Sequence, residues 1–388
     1  MQLSGLEVLV LGGGIAGLAA ACALAQRGAS VTVLEQAAAF KEVGAGLQIS
    51  PNGARVLSAL GQGSALAHAG LRSESVVLRD GRKGDEVLRL SLPPTGPGFH
   101  LVHRADLVAL LADACSNVTF RFAALAEAVF PEGPRPSVVL AGGERLSADL
   151  LIGADGLHSV VRAALQPDAP KAAFFTGQVA WRALIPGHPG DKPQAEVFMG
   201  PGRHLVSYPL RRGQLRNIVA VEERTAWAQE GWTHPDNPAH IRSAFAGFGG
   251  PVQDWLAQID TVWLWGLFRH PVAERWHKGH AVTLGDAAHP TLPFMAQGAN
   301  LALEDAFVLA RSLQQESEIE DALARYQLLR RARVVKVVEA ANRNARNYHL
   351  RAPFAQIAHL ALRLSGKAAP DAPLRKFAWI YDHDVTET

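Results

Sequence analysis

The 388 residues of the chain suggest two or three structural units, because domains usually contain roughly 150 residues. A composition of 48% hydrophobic and 19% charged residues supports a large core and excludes intrinsic disorder, while 36 glycines and 23 prolines without a repeating triplet exclude a collagen-like fibre. The net charge of +2 gives no electrostatic indication of nucleic-acid binding, and 2 cysteines (Cys22 and Cys115) are too few for a disulfide framework or a four-ligand zinc site, so we expect a cytoplasmic protein without a metal.

The amino-terminal segment is apolar enough over residues 6–25 to suggest a membrane span or a signal peptide. Three consecutive glycines at positions 12–14 interrupt it, however, and no basic segment precedes it. Residues 8–11 have the β-branched character of a strand, and the alanine-rich run after the glycines favours a helix. Because residues 30–35 form a second strand pattern, we expect a βαβ unit rather than a membrane segment.

Strand, turn and helix patterns alternate through the rest of the chain. In order, they predict two short strands within residues 76–101, a loop at 93–98, a helix at 104–115, strands within 118–140 and a central strand at 149–153. Between residues 174 and 269, frequent tryptophan, glycine and proline and the alternation at 204–208 favour an antiparallel sheet in a second domain. Residues 281–285 return to the buried parallel-strand pattern, and helices are predicted at 298–313 and 319–350.

Gly12, Gly14 and Gly17 match the G-x-G-x-x-G pattern of dinucleotide-binding loops, which is weak by itself. Here the pattern follows a strand and opens a helix, and Glu35 ends the next strand 18 residues after Gly17, near the expected spacing of about 20. The glycines allow the backbone to approach a pyrophosphate, which the helix N-terminus stabilises, and Glu35 can accept hydrogen bonds from a ribose. An ordinary glycine turn is the alternative interpretation.

Two later junctions between a strand and a helix carry an aspartate next to a glycine. Asp155, followed by Gly156, is equally well explained as a helix N-cap. Asp286 stands at the end of a predicted strand, where it can bind a ribitol hydroxyl. The helix that starts near residue 298 has free N–H groups that would stabilise an anion.

With these three junctions in this order, the sequence resembles the FAD-dependent aromatic hydroxylases, the single-component flavoprotein monooxygenases that include salicylate hydroxylase and 6-hydroxynicotinate monooxygenase. The likeness runs along nearly the whole chain and includes residues 44–53, 103–107, 181–182 and 208–209. It implies an α/β fold with a Rossmann-type FAD-binding domain, an inserted antiparallel-sheet substrate domain and C-terminal helices. The expected borders are 1–72, 98–170 and 272–388 for the FAD-binding domain, and 73–97 and 171–271 for the substrate domain.

The resemblance also assigns cofactor contacts. The glycine pattern would hold the FAD pyrophosphate, Glu35 the adenosine ribose, Arg104 the ribityl–phosphate region and Asp286 the ribityl chain. The motif at Asp155 is linked to both FAD and NAD(P)H handling, and the helix start near Ala299 supports the pyrimidine edge of the flavin. The full expected set is Gly12, Gly14, Ala16, Gly17, Glu35, Gln36, Gln48, Arg104, Asp155, Asp286, Gly298, Ala299 and Asn300.

The implied reaction is the hydroxylation of a small aromatic acid or phenol by molecular oxygen, with a tightly bound FAD, a flavin C4a-hydroperoxide and NADH or NADPH as a transient co-substrate. Tyr208 matches a tyrosine that faces the substrate in this family, although a structural tyrosine fits equally well. His204, on the same strand face, is a candidate base, against the alternative of a half-exposed surface histidine. Gln48 stands where the resemblance leads us to expect a histidine base, and Pro293 is expected to shape the loop at the reactive face of the flavin.

Other charged residues have two interpretations each. Arg182 pairs either with a substrate carboxylate or with an acid at the surface or between domains. His289 is expected to pack beside the cofactor. The basic residues of the last long helix are predicted to form a solvated face; they are Arg325, Arg330, Arg331, Arg333 and Lys336.

Two other functions stay open at this point: a related flavin epoxidase with a larger hydrophobic substrate, and a non-catalytic redox-sensing flavoprotein. A flavin halogenase is disfavoured, because residues 181–186 lack the W-x-W-x-I-P pattern. We expect a monomer or homodimer that binds neither nucleic acid nor membranes.

Overall fold

The computed structural model describes residues 3–40, 45–169, 172–188, 190–225, 234–369 and 371–387. The strands within these ranges are β1 (Glu7–Leu11), β2 (Ser30–Leu34), β3 (Gly46–Ile49), β4 (Leu71–Arg72), β5 (Ser75–Asp80), β6 (Glu86–Ser91), β7 (His100–His103), β8 (Val118–Arg121), β9 (Ala126–Phe130), β10 (Ser137–Leu140), β11 (Arg145–Ser147), β12 (Leu150–Gly153), β13 (Phe174–Pro186), β14 (Gln194–Gly200), β15 (Arg203–Leu210), β16 (Leu215–Glu223), β17 (His234–Asp236), β18 (Val262–Arg269), β19 (His277–Lys278) and β20 (Ala281–Thr283).

The helices are α1 (Ile15–Ala25), α2 (Pro51–Ala59), α3 (Gly63–Ala69), α4 (Arg104–Asp113), α5 (Val160–Leu165), α6 (Pro238–Ala244), α7 (Val252–Ala257), α8 (Gly298–Gln315), α9 (Ile319–Tyr348), α10 (Phe354–Ala368), α11 (Ala372–Arg375) and α12 (Ala378–Tyr381). None of the helices in the described ranges combines the length and apolarity needed to cross a bilayer.

A six-stranded sheet forms the base of the molecule in the order β19-β20-β12-β1-β2-β8, and every pair in it is parallel except β19–β20. Strands β1 and β12 are apolar and buried almost throughout, as expected for strands covered on both faces. One face packs against α1, α4 and α8, and the other against α5 and the small sheet β9-β10-β11. The Rossmann-type α/β fold predicted from the sequence is confirmed.

An eight-stranded sheet lies beyond this base in the order β17-β18-β13-β16-β15-β14-β5-β6. Its pairs are antiparallel, as the sequence predicts for this domain, with one exception, the parallel pair β14–β5. The reason is connectivity: β5 and β6 come from a much earlier part of the chain and are added at the end of the later strands. One sheet face is covered by α6 and α7, and the other faces the six-stranded base.

The long helix α9 carries a buried charge cluster that the sequence analysis placed at the surface. The side chain of Arg330 is 1% exposed, and it bonds Glu304 Oε2 at 2.7 Å and Asp305 Oδ1 at 2.8 Å on α8. Arg333 adds a second bond to Glu304, at 2.8 Å. The prediction of a solvated basic face is therefore wrong for Arg330 and Arg333, because their acidic partners come from another helix. Arg325 stays near the surface and pairs with Glu316.

Candidate active site

The three strand–helix junctions meet at one edge of the six-stranded sheet. Strands β1, β12 and β20 are parallel neighbours, so their carboxyl ends lie side by side, where open α/β sheets bind their ligands. Gly12 packs so closely against the backbone of Ala154 that a Cβ would collide with it. Similarly, a Cβ on Gly285 would lie 2.8 Å from the Cβ of Ala16. The geometry thus joins the motifs that the sequence places more than a hundred residues apart.

Each glycine of the first junction has a distinct local task. Gly12 has φ +104°, a conformation that side chains rarely adopt, and makes the turn out of β1. A Cβ on Gly17 would collide with the carbonyl oxygen of Gly12, so this glycine permits close packing of helix and strand. The Cβ direction of Gly14 meets no atom within 4 Å, which leaves open space at the start of α1 for a ligand. This division of tasks is the one that a pyrophosphate-binding turn needs.

Glu35 follows β2 directly, and its carboxylate is held beside the glycine turn. Its Oε2 accepts from the N–H of Gly13 at 2.7 Å, and its Oε1 from the N–H of Ala37 at 2.8 Å. The neighbouring Gln36 is exposed. These bonds fix the carboxylate at the position where a ribose would lie, although the ribose contact itself stays a prediction.

The second junction shows a helix cap. The Oδ2 of Asp155 accepts from the N–H groups of Val160 and Val161, at 2.8 and 3.3 Å, and Ser159 caps α5 through Arg162 N–H. Ser159 is the N-cap residue of α5, so Asp155 is not the N-cap itself but binds the first N–H groups of the same helix. A role of Asp155 toward FAD or NAD(P)H stays a prediction.

At the third junction, Asp286 projects into an open cleft although protein atoms surround its base. This crowding raises the pKa of its carboxyl, while His289 and Arg104 lower it. Conversely, desolvation lowers the pKa of the Arg104 guanidinium, while Asp286 and Glu35 raise it. Arg104 is therefore close enough to both carboxylates to feel their charges, and the three polar groups line one cleft.

Helix α8 begins on the other side of this cleft. Its first intrahelical bond runs from Leu301 N–H to Gln297 C=O, so the N–H groups of Gly298, Ala299 and Asn300 precede it and need acceptors from elsewhere. The side chain of Asn300 is already used: it accepts from Ser50 N–H at 3.0 Å and donates to the carbonyls of Gln48 and Ala296. Asn300 thus offers its backbone, and not its side chain, to a ligand.

The inner face of the eight-stranded sheet lies above the cleft. Tyr208 is buried, and its ring packs so closely on Gly46 of β3 that a Cβ there would lie 2.5 Å from it. Burial raises the pKa of Tyr208 above its ordinary value, and the positive charge of Arg182 partly offsets this rise. The Arg182 guanidinium lies 4.0 Å from the centroid of the Trp265 ring, and its Nε is buried without a hydrogen-bond partner in the described ranges. Trp181 points the other way, into the core beneath α6 and α7.

Arg182 has no ion pair with any carboxylate of the described residues, so the surface or interdomain salt bridge is not found. Desolvation lowers the pKa of its guanidinium to about 10. Tyr208 and Arg104 are the other groups whose charge it feels. A half-buried cation without an anionic partner is unfavourable, so this site favours a negatively charged ligand.

His204 is 2% exposed, so the alternative of a half-exposed histidine is wrong. Its Nδ1 lies 2.7 Å from Nε2 of His349, and its ring packs on Phe294 in the loop before α8. Burial lowers the pKa of His204 well below its ordinary value, and His349 lowers it further. The imidazole is therefore neutral near pH 7. Pro293 begins the short turn that contains Phe294.

Asn217, which was not predicted from the sequence, helps to hold this site together. Asn217 on β16 accepts from Gly46 N–H at 2.8 Å and so ties the sheet to the base. His289, predicted beside the cofactor, is buried in an ion pair with Asp305 at 2.5 Å. Nothing in the local pattern around Asn217 marks such a contact, because its partner is 171 positions away. Of the segment 44–53 that carries the resemblance, residue 44 lies outside the described residues.

These observations fit FAD. The open space at Gly14 and the two helix starts suit a pyrophosphate, the carboxylates of Glu35 and Asp286 suit hydroxyl groups, and the free N–H groups of α8 suit the electron-rich edge of an isoalloxazine. No group of three or more metal-ligating side chains occurs within the described ranges. Fold and site define a dinucleotide-binding flavoprotein with a second sheet roofing the reactive end.

The chain belongs to the family described as FAD binding domain, whose model matches residues 5–341. It is 34% identical over 390 residues to the 3-amino-4-hydroxybenzoate 2-monooxygenase PtnB3 of Streptomyces platensis, covering 98% of this chain and 96% of that one. It is 36% identical over 364 residues to the 3-hydroxybenzoate 6-hydroxylase of Polaromonas naphthalenivorans, covering 89% and 88%. HpxO of Klebsiella pneumoniae, solved with FAD and uric acid, superimposes with a TM-score of 0.83 at 28% identity over 94% of this chain and 95% of HpxO.

The protein is accordingly a flavin-dependent monooxygenase of the aromatic hydroxylase class, with FAD as its cofactor. The family resemblance predicted from the three junctions is confirmed. The individual roles of the site residues are not tested by these likenesses and stay predictions.

Proposed function

We propose that the protein hydroxylates a small aromatic acid that carries a phenolic hydroxyl, with NADH or NADPH and molecular oxygen as co-substrates. The observation that carries this proposal is Arg182, a half-buried cation whose Nε is buried without a hydrogen-bond partner and which has no carboxylate partner among the described residues. A substrate carboxylate would supply the missing charge, and bidentate recognition of a carboxylate is what a guanidinium does well. The relatives named above act, by their names, on aminohydroxybenzoate and hydroxybenzoate.

The register of the roofing sheet supports a specific orientation. Arg182 is paired with Val219, and Val219 is paired with Val206 on β15. Val206 lies between His204 and Tyr208 on the same strand face. With strands about 4.8 Å apart and residues about 3.4 Å apart, the Cα atoms of Arg182 and His204 are separated by about 12 Å. Once both side chains turn inward, a benzene ring with a carboxylate at one end and a hydroxyl at the other fits between them, above the two valines.

In this arrangement each residue of the site has a separate role. His204 takes the phenolic proton, which raises the electron density of the ring, and Tyr208 donates a hydrogen bond to the substrate because its raised pKa keeps it protonated. Gln48, at the β3 edge of the cleft, orients flavin or substrate by hydrogen bonding but holds no proton. Pro293 and the loop after it limit water access. The chemistry supplied by FAD, when bound and reduced, is the activation of oxygen as an electrophile toward the ring.

The proposal also covers the domain borders, the cellular location and the nicotinamide co-substrate. The domain borders given above are supported by β5 and β6, which join the sheet of the later segment. A cytoplasmic location is supported by Cys22 and Cys115, both buried free thiols. A transient NADH or NADPH is supported by the family, while the chain leaves the choice between them open to experiment.

Rapid-mixing measurement of flavin reduction tests the function directly. The panel comprises 3-hydroxybenzoate, salicylate, 3-amino-4-hydroxybenzoate, phenol, a hydroxypyridine and uric acid, each with NADH and with NADPH. We expect a hydroxybenzoate to accelerate reduction and to be recovered with one added oxygen atom. Acceleration by phenol but not by any acid would remove the carboxylate from the proposal, and acceleration only by large lipophilic rings would favour an epoxidase. Bound FAD with slow NAD(P)H oxidation under all conditions would favour a redox-sensing protein.

A further inference from the structure

A chain of three titratable side chains leads from the inner face of the roofing sheet to the surface. His204 Nδ1 lies 2.7 Å from His349 Nε2, and His349 Nδ1 lies 2.8 Å from Glu223 Oε1. Both histidines are buried, whereas the Glu223 side chain is 44% exposed. Glu223 lines an open surface cavity of about 420 Å³ together with Arg224, Arg346 and Arg351, among others. The chain thus has one enclosed end and one end in water.

The backbone holds this chain in place. At the hairpin between β14 and β15, the N–H of Gly202 donates to the carbonyl of His349 at 3.2 Å, and the carbonyl of Gly202 accepts from the N–H of Glu223 at 2.9 Å. A single residue therefore fixes the end of α9 against the end of β16. On the inner side, Asn344 donates to the carbonyl of Phe294 and to the hydroxyl of Tyr348, both at 2.9 Å. The last turn of α9 is anchored at both the loop and the hairpin.

The charged and titratable neighbours are few. Tyr348 packs against His204, with ring centroids 5.2 Å apart. Arg203 on β15 lies near His349, and Arg351 lies 4.0 Å from Glu223 Oε2. Burial lowers the pKa of His349, Glu223 raises it and Arg203 lowers it again. Since no second carboxylate is bonded to either histidine in the described ranges, Glu223 is their exit to solvent.

We propose that His204, His349 and Glu223 form a proton relay that carries the phenolic proton of the substrate between the enclosed site and water. The proposal rests on the function proposed above and assigns two further residues to it, His349 and Glu223. Neither is marked by a sequence motif, and both act through His204 without touching the substrate. They are therefore positioning and proton-transfer residues.

The number of protons is conserved along the relay, and no electron is transferred. In the resting state, His204 Nδ1–H donates to His349 Nε2, and His349 Nδ1–H donates to Glu223 Oε1. When His204 Nε2 takes the proton of the phenol, the Nδ1 proton moves to His349, the Nδ1 proton of His349 moves to Glu223, and Glu223 releases one proton to water. Reprotonation of the product phenolate runs the same chain in reverse and restores both tautomers.

The test measures proton release when the FAD-containing enzyme binds 3-hydroxybenzoate, salicylate or 3-amino-4-hydroxybenzoate, using a pH-indicator dye in weakly buffered solution. We expect the wild type to release a proton rapidly on binding, and Glu223→Gln to release it at least about tenfold more slowly, with KM unchanged and kcat reduced. Glu222→Gln is the matched control, since Glu222 is the adjacent residue of β16 and pairs with Arg203 and Arg224 instead. It should behave like the wild type.

Added acetate separates a proton-transfer role from a structural one. Acetate can reach the exposed position of residue 223, so we expect it to restore fast proton release in Glu223→Gln. His349→Gln interrupts the chain where it is buried, so its slow release should not respond to acetate. Unchanged release in Glu223→Gln, or slow release that acetate does not restore, would overturn the relay while leaving hydroxylation intact. A wild-type enzyme that neither binds nor hydroxylates any of the three acids would overturn the proposed function, and the relay with it.

Discussion

The guanidinium of Arg182 lies over the indole of Trp265, with its central carbon 4.0 Å from the ring centroid. In this position the Nε of Arg182 is buried without a hydrogen-bond partner among the described residues. Cation–π attraction of about 2 kcal/mol in a desolvated setting does not replace a full counter-ion. The arrangement places a positive charge where an anionic ligand is expected.

Replacing Arg182 by methionine tests that assignment, because methionine keeps much of the volume and removes the charge. We expect KM for a hydroxybenzoate substrate to rise about 10- to 100-fold, as for loss of a charged hydrogen bond. The variant should unfold at the same or a higher temperature, since a half-buried charge without an anionic partner is removed. Steady-state kinetics with the acid and with the corresponding phenol provide the comparison. An equal effect on both compounds would mean that Arg182 does not bind the carboxylate.

Gly14→Ala and Gly17→Ala separate cofactor binding from folding. The Cβ added at position 14 would enter open space, so the apoprotein should keep its stability while its affinity for FAD falls, because the methyl group occupies the expected position of the pyrophosphate. At Gly17 the Cβ would collide with the Gly12 carbonyl, so both stability and FAD binding should fall. Thermal unfolding of the apoprotein and FAD titration by flavin fluorescence measure the two effects. Tight FAD binding by Gly14→Ala would place the pyrophosphate elsewhere.

Tyr208→Phe should keep FAD bound and reduce the yield of hydroxylated product for each NAD(P)H oxidised. Burial raises the pKa of the Tyr208 phenol above its ordinary value, so the phenol stays protonated throughout the usual assay range. Its loss should therefore leave the pKa values of the pH–rate profile unchanged while more hydrogen peroxide is released. Product and peroxide are measured in parallel. Full coupling in the variant would remove Tyr208 from the site.

Arg330→Met should destabilise the protein strongly, by about 3–5 kcal/mol, because it leaves Glu304 and Asp305 buried with fewer partners. Arg325→Met is the matched control on the same helix: its pair with Glu316 is near the surface, and its loss should cost less than about 1 kcal/mol. Urea unfolding of both variants gives the free energies. Similar values for the two would show that the buried cluster contributes little.

The free energy of unfolding should depend on pH through the lowered pKa of the Asp305 carboxyl. Burial by itself would raise the pKa of this carboxyl, but His289 and Arg330 lower it to about 2. Since the unfolded value is about 3.9, the ionised group contributes stability above pH 4, of the order of 2 kcal/mol, and that contribution is lost as the pH falls from about 4 to 2. Unfolding of wild-type and Asp305→Asn apoprotein across this interval tests the sign. Parallel curves for the two proteins would contradict it.

The sequence by itself determined the parts of this protein that depend on local backbone geometry. The spacing of Gly12, Gly14 and Gly17 between a strand and a helix indicates a dinucleotide-binding turn. The acids at positions 35 and 286 were identified as candidate ligand contacts because they stand at the ends of predicted strands. The order of these junctions predicted the Rossmann-type base and led to the resemblance that implies FAD, whereas the roofing sheet was predicted from the alternation at residues 204–208 and from that resemblance. The parallel pairing of β14 with β5 was not predicted. Neither segment has a sequence pattern that indicates the pairing of the early β5–β6 hairpin with the later strands.

Which charged side chains are buried, and which of them pair across distant elements, could be seen only in the tertiary structure. Arg330 looks like a surface residue on its own helix and becomes a core residue only because α8 presents two acids to it. A salt bridge of Arg182 with an acid was one expectation, but Arg182 has no carboxylate partner in the described ranges. His204 was expected to be half-exposed or to act as a base; it is buried and contacts His349, which in turn contacts Glu223. The physical reason is that burial and ionic pairing depend on which side chains meet in space, and those partners lie 25 to 145 positions apart along the chain.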